Sequence, residues 1–145
     1  GGSVVTFVRY GEHVASPVID KGQADAIVSF ELLEAARWLE YLKPGGRIVA
    51  NTQRMDPMPV ITGAAEYPQG LTEKMQAAGA AVDPLDCLSL AERAGNVKAV
   101  NLVLLGRLSH YFDFPESAWQ EAIKACVPAK FLEVNQRAFQ LGKNA

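Results

Sequence analysis

The amino-acid sequence predicts an α/β fold built on a mainly parallel sheet, with an antiparallel hairpin at its N-terminus and a helical C-terminal third. Three observations predict it. Residues 24–52 read as strand, helix, glycine turn and strand, and a unit of that length implies parallel strands joined by a right-handed crossover. Residues 3–10 and 13–19 are two strand-like runs on either side of Gly11-Glu12. From Val97 onward only helical periodicity remains. The arrangement is Rossmann-like, and open α/β sheets of this kind place ligands at the carboxyl edge of the strands.

The elements follow in order. Residues 3–10, SVVTFVRY, are dense in β-branched and aromatic side chains and read as a strand. The return run, 13–19, carries Pro17, which confines it to an edge or to its own end. Residues 20–23 are a polar link to the strand at 24–30, which ends at Glu31. Leu32, Leu33, Ala36, Leu39 and Leu42 recur at helical spacing, and Lys43-Pro44-Gly45-Gly46 is read as the stop of that helix. Residues 47–50 form the second strand, ending at Asn51-Thr52, so Glu31, Asn51 and Thr52 are expected at one sheet edge. Residues 53–59 are a loop with two prolines, 60–62 a short strand, and 71–78 a helix with Gly79 as its left-handed end. A third strand is expected at 80–82, then a helix at 87–94 ended by Gly95-Asn96.

Residues 98–112 are apolar on nearly every side, the mark of a buried helix. Asn101 on that helix is therefore expected to be a buried amide with a specific partner. Pro115 and Glu116 start the next helix, whose inward stripe is Trp119, Ala122, Ile123 and Cys126. Pro128 opens the last one, in which Phe131, Leu132, Asn135, Ala138 and Phe139 share a face and Gly142 marks the end.

A chain of 145 residues is long enough for one domain with a proper core, and 49% hydrophobic with 21% charged residues is an ordinary globular balance. Net charge −2 and a pI near 5.7 argue against nucleic acid as a partner, since phosphate backbones need a basic face. No apolar stretch is long enough to span a membrane, and no export signal is visible, so the expected location is cytoplasmic. Cys87 and Cys126 belong to no CxxC pair and read as two buried free thiols, with a single disulfide as the alternative.

The motifs of common chemistry are missing. There is no GxGxxG, GxxxxGK[ST] or GxSxG, and His13 and His110 have no partner placed by spacing. No catalytic residue and no metal site is assigned. Asp83 and Asp86, flanking Pro84, read as turn and N-cap residues. Glu31 is either a helix N-terminal carboxylate or a hydrogen-bond acceptor at the ligand edge. Asn51 and Thr52 are either turn residues or ligand-edge groups. Trp38 and Trp119 read as core or interface anchors.

Two resemblances bear on function. DAIVSF, a helix and then LKPGGRIV resemble the segment after the cofactor loop of class I S-adenosylmethionine-dependent methyltransferases. Those enzymes need an acidic glycine loop after the first strand, and the residues before this unit contain none. The second resemblance runs through nearly the whole chain in order. It covers GGSVVTFVRY, Ser16-Pro17, Gly22 to Asp25, Phe30-Glu31, LKPGG, Asn51-Thr52, Tyr67-Pro68 and NLVLLG, then residues 115–123 and 131–139. These residues closely resemble the gamma subunit of 2-oxoacid:ferredoxin oxidoreductases (pyruvate, ketoisovalerate or indolepyruvate).

That resemblance implies an accessory α/β subunit. Thiamine diphosphate and the iron–sulfur clusters would lie in partner subunits only, and ferredoxin would be reached indirectly. Coenzyme A is the cofactor implied at this chain, with Gly2, Ser3, Glu31, Asn51 and Thr52 as the candidate binding residues. The other subunits of the complex are the implied partners, and a homo-oligomer is the alternative for the chain in isolation. Family members carry a GxGGQG-type segment on their first strand–helix connection, so residues 1–145 are expected to be one gamma-type domain lacking its first strand–helix unit. An assembly module without a ligand is the remaining alternative.

Overall fold

The computed structural model describes residues 3–145. Strands β1 (Ala24–Ser29), β2 (Leu42–Asn51) and β3 (Ala81–Leu85) form a parallel sheet in the order β1-β2-β3. Ser29 pairs with Ala50, and Asn51 with Leu85, so all three carboxyl ends lie at one edge. Alternation along the central strand divides the core in two, since successive side chains of a strand point to opposite faces. Val49 packs among α4 (Cys87–Ala94), α5 (Val100–Leu108), α6 (Glu116–Cys126) and α7 (Leu132–Lys143). Ile48 and Ala50 pack with α1 (Leu32–Arg37) and α3 (Leu71–Ala77). All three β2 residues are fully buried. The result is a helix–sheet–helix sandwich, the α/β fold expected.

The N-terminal hairpin is not formed. Residues 3–19 contain no strand, and Val4 and Val8 are 91% and 74% exposed. A two-stranded hairpin alone is marginal in water, and Pro17 lacks a ladder donor. Arg9 takes the place of the ladder, donating to the Val18 carbonyl at 2.9 Å. The segment is pinned at two aromatic points. Phe7 lies against Trp38 and Tyr41, with centroids 6.2 and 6.1 Å away, and Tyr10 lies against Phe114 at 5.6 Å.

Four further differences are local. The helix after Glu31 stops at Arg37, and a 3-10 turn at 39–41 leads into β2. Lys43-Pro44-Gly45-Gly46 is therefore not a helix stop but a bulge in β2, where pairing jumps from Ala24–Leu42 to Ala26–Arg47. Gly45 takes a φ of 73° there, which favours glycine. The strand expected at 60–62 is instead part of α2 (Met58–Ile61), because the prolines at 57 and 59 suit a helix cap and first turn. The long helix at 98–112 is α5 flanked by 3-10 turns at 97–99 and 109–111. Asn101 lies on its exposed side and needs no buried partner.

Gly142 is the penultimate residue of α7, at the end expected, but its role there is close packing rather than a left-handed cap. A Cβ there would sit 2.0 Å from the Val103 carbonyl oxygen, and one on Gly106 would sit 2.0 Å from that of Phe139. The two glycines let α5 and α7 meet backbone to backbone. Asp83 lies within β3 rather than in a turn, and Pro84 beside it is tolerated because β3 is an edge strand. Arg107 grips Asp83 with two nitrogens at 2.7 and 3.2 Å, and the Tyr111 hydroxyl donates to it at 2.5 Å. Asp86 is the N-cap of α4, accepting from the Ser89 amide at 3.0 Å.

Candidate functional site

The chain turns sharply where β1 gives way to α1. Ser29 donates through its hydroxyl to the Glu31 carbonyl at 2.7 Å, and both residues are buried. Glu31 is 2% exposed, a burial a carboxylate tolerates only when its oxygens are satisfied. One oxygen accepts the Glu34 amide at 3.0 Å and so caps α1. The other accepts the hydroxyl of Tyr67, which comes from the loop after α2. Burial and then the hydrogen bond to Glu31 push the Tyr67 hydroxyl up to about 12, so it stays a donor at neutral pH.

Tyr67 in turn carries Arg54. The guanidinium lies over the ring, 4.3 Å from its centroid, and Nε donates to Asp56 at 2.5 Å. Among the described residues no acceptor meets the two terminal nitrogens of Arg54.

Asn51, at the end of β2, is 1% exposed. Its side-chain oxygen accepts the Cys87 amide at 3.1 Å, tying the strand end to the start of α4, and also the Gln53 amide at 3.4 Å. Thr52 is exposed, and its amide donates to Leu85 at 3.0 Å. The Ser3 hydroxyl donates to Glu34 at 2.6 Å, and Gly2 lies outside the described residues. An open slot of about 2150 Å³ separates residues 3–10 from the free side of β1. Ser3 and Glu31 line it, whereas Asn51 and Thr52 do not.

The edge therefore gathers Glu31, Asn51 and Thr52 from neighbouring strand ends, but two of the three are committed to the protein itself. Glu31 has both carboxyl oxygens engaged by donors of the protein itself and does not suit a phosphate. Arg54 and the Thr52 hydroxyl are the groups open to an anionic ligand. Arg54 stands in an aperiodic loop that gives no sequence signal, and Tyr67 is marked in the sequence by the family resemblance but not as a partner of Glu31. Among the described residues, no three His, Cys, Asp or Glu side chains gather to hold a metal ion. The ring of His110 meets, among the described residues, the Lys143 carbonyl and its neighbour Tyr111, a helix-end contact.

The family model for pyruvate ferredoxin/flavodoxin oxidoreductase matches residues 1–145. The chain belongs to this family. It is an oxidoreductase component, and the strand–helix–strand unit that resembles a methyltransferase segment is part of this family's domain. The chain is 41% identical to indolepyruvate oxidoreductase subunit IorB of Thermococcus kodakarensis, over 99% of its own length and 74% of the relative's. The subunit of the same name from Archaeoglobus fulgidus is 32% identical, over 99% and 73%. Among solved structures, it is similar to a 2-oxoglutarate:ferredoxin oxidoreductase from Magnetococcus marinus with 2-oxoglutarate, coenzyme A and succinyl-CoA bound. That likeness has a TM-score of 0.59 and 22% identity, covers 86% of this chain and 20% of the other, and bears on fold alone.

Proposed function

We propose that this chain is the gamma-type accessory subunit of a 2-oxoacid:ferredoxin oxidoreductase. The complex would decarboxylate a 2-oxoacid oxidatively, hand the electrons to ferredoxin and form an acyl-CoA. The names of the relatives favour indolepyruvate as the 2-oxoacid. The observation that carries the reading is the 41% identity to an indolepyruvate oxidoreductase subunit along 99% of this chain. Thiamine diphosphate and iron–sulfur clusters belong to the partner subunits on this reading. A cytoplasmic location belongs to the same reading, and the free thiols Cys87 and Cys126 suit a reducing compartment.

Coenzyme A is the ligand we assign to the carboxyl edge of the sheet. The coenzyme bound in the structural neighbour and the position of the edge in the fold support it. Ser3 and Thr52 would border the ligand, while Glu31 and Asn51 would hold the strand ends in place; Gly2 lies outside the described residues. The engaged state of Glu31 and Asn51 favours one second reading, an assembly module without a ligand.

Calorimetry and turnover decide between them. The chain purified by itself is expected to contain no iron and to reduce no viologen dye with a 2-oxoacid. Co-expressed with its partner subunits, it is expected to enter a complex that does so only when coenzyme A is present. Dye reduction by the chain alone refutes the accessory reading. Coenzyme A affinity that is the same in a partner preparation lacking this chain refutes the ligand assignment and leaves the assembly module.

A further inference from the structure

The cations of the described chain are unequally placed. Arg37 is paired with Glu34, Lys43 with Asp25 and Lys21 with Glu40. Arg9 donates to backbone carbonyls, and Arg47 lies over Tyr111 at 3.8 Å from the ring centroid, at the start of the paired stretch of β2. Arg54 follows the carboxyl end of β2 by three residues; it too is ion-paired, through Nε to Asp56, but among the described residues no acceptor meets its two terminal nitrogens. It is also held. The guanidinium stacks on Tyr67, the Tyr67 hydroxyl is fixed by Glu31, and Glu31 is buried as the cap of α1. A long side chain ordinarily loses rotamer freedom when it takes a ligand, and this one is ordered beforehand.

We propose that Arg54 is the phosphate-binding residue of the carboxyl edge and that Tyr67 is its positioning residue. The proposal rests on the coenzyme A reading above and names the part of that ligand it recognises. A guanidinium stacked on one face still presents its terminal N–H groups in the plane, where they match two phosphate oxygens. The stack leaves that rim free, and Asp56 occupies only Nε. The carboxylate of Asp56 sets the plane of the guanidinium at the cost of some attraction for an anion.

Calorimetry on the assembled complex tests this with coenzyme A and with pantetheine, which has no phosphate. Arg54→Gln is expected to weaken coenzyme A about tenfold or more, the equivalent of one charge-assisted hydrogen bond. Pantetheine affinity should stay within about twofold, and Arg54→Lys should fall between wild type and Arg54→Gln for coenzyme A. Tyr67→Leu, which removes the stack, should weaken coenzyme A and spare pantetheine in the same way. Arg54 is exposed, so its variants should keep the wild-type unfolding midpoint. Wild-type affinity for coenzyme A in Arg54→Gln refutes the residue's role while leaving the coenzyme reading intact. Equal loss of coenzyme A and pantetheine refutes the phosphate contact. Failure of the wild-type complex to bind coenzyme A refutes the underlying reading instead.

Discussion

Replacing Gly142 by alanine puts a sign on the packing of α5 against α7. In an exposed helix interior the change is favourable by about 1 kcal/mol, because alanine loses less backbone freedom than glycine. Here the added carbon would lie 2.0 Å from the Val103 carbonyl oxygen and 2.7 Å from its carbonyl carbon. Cβ contacts under 3.0 Å are essentially never seen, so α7 must withdraw by about 1 Å. Phe139, Ala138, Val103 and Leu104 are at most 1% exposed around that crossing, and withdrawal loosens them all. Overpacking costs about 1–3 kcal/mol, and the upper end applies because backbone, not a side chain, has to move. Set against the helix gain, Gly142→Ala should lose about 2 kcal/mol. That corresponds to a fall in unfolding temperature of about 6–10 °C for a chain of this size. Urea unfolding followed by circular dichroism measures it, with an unchanged m-value marking a pure stability effect. Gly106→Ala should behave alike, and the double variant should cost less than the sum, since one withdrawal of α7 accommodates both methyls. A Gly142→Ala protein more stable than wild type refutes the close approach.

Three other perturbations follow from the same geometry. Glu31→Ala removes the α1 cap and leaves the Tyr67 hydroxyl without its acceptor, for a loss of about 2 kcal/mol in urea unfolding; an unchanged midpoint counts against the buried pair. Burial pushes Asp83 up, but hydrogen bonds from Arg107 and Tyr111 outweigh it and hold its carboxyl below the usual value. Its folded pKa is thus depressed, so its contribution is complete above the unfolded value of about 3.9 and disappears as pH falls through the folded one. The stability gap between wild type and Asp83→Asn should shrink from pH 6 to pH 2, and a constant gap refutes the linkage. Cys87 is fully buried, and burial raises its thiol to about 12, whereas Cys126 is exposed. Ellman's reagent should therefore titrate Cys126 quickly in the native chain and both thiols in urea, and fast reaction of both when folded disproves the core assignment.

Much of the fold was legible because periodicity and end signals agree along most of the chain. The strand at 24–30, the caps at Asp86, Gly79 and Gly95, and the helical third each have their own local cause. Errors arose where tertiary context overrode local preference. Residues 3–10 have every local mark of a strand but no partner to pair with among the described residues. The Pro-Gly-Gly run is a turn signal, yet a parallel bulge and a helix stop demand the same residues. Gly142 does mark the end of α7, but the close helix crossing it permits leaves no trace in a single sequence. The site was half visible. Strand order predicted the edge and the place of Glu31 and Asn51 on it, but no local pattern connects Tyr67 to a carboxylate 36 residues earlier.

Burial separates the roles of the groups gathered at that edge. Glu31 and Asn51 are at most 2% exposed, and each ends a strand by fastening it to the first turn of a helix: Glu31 to α1, Asn51 to α4. Neither can turn outward to a ligand without releasing a backbone amide, and for Asn51 that amide is buried, at a cost of about 1–3 kcal/mol. Arg54 and Thr52 stand just past the strand end, exposed, and can meet a ligand without breaking anything inside. The division predicts how substitutions should differ. Glu31→Gln should lower the unfolding midpoint and disturb ligand affinity only in proportion, through Tyr67. Arg54→Gln should shift coenzyme A affinity with the midpoint unmoved. If instead Glu31→Gln abolishes binding while stability is preserved, the carboxylate touches the ligand directly and the edge works as the bare strand pattern suggested.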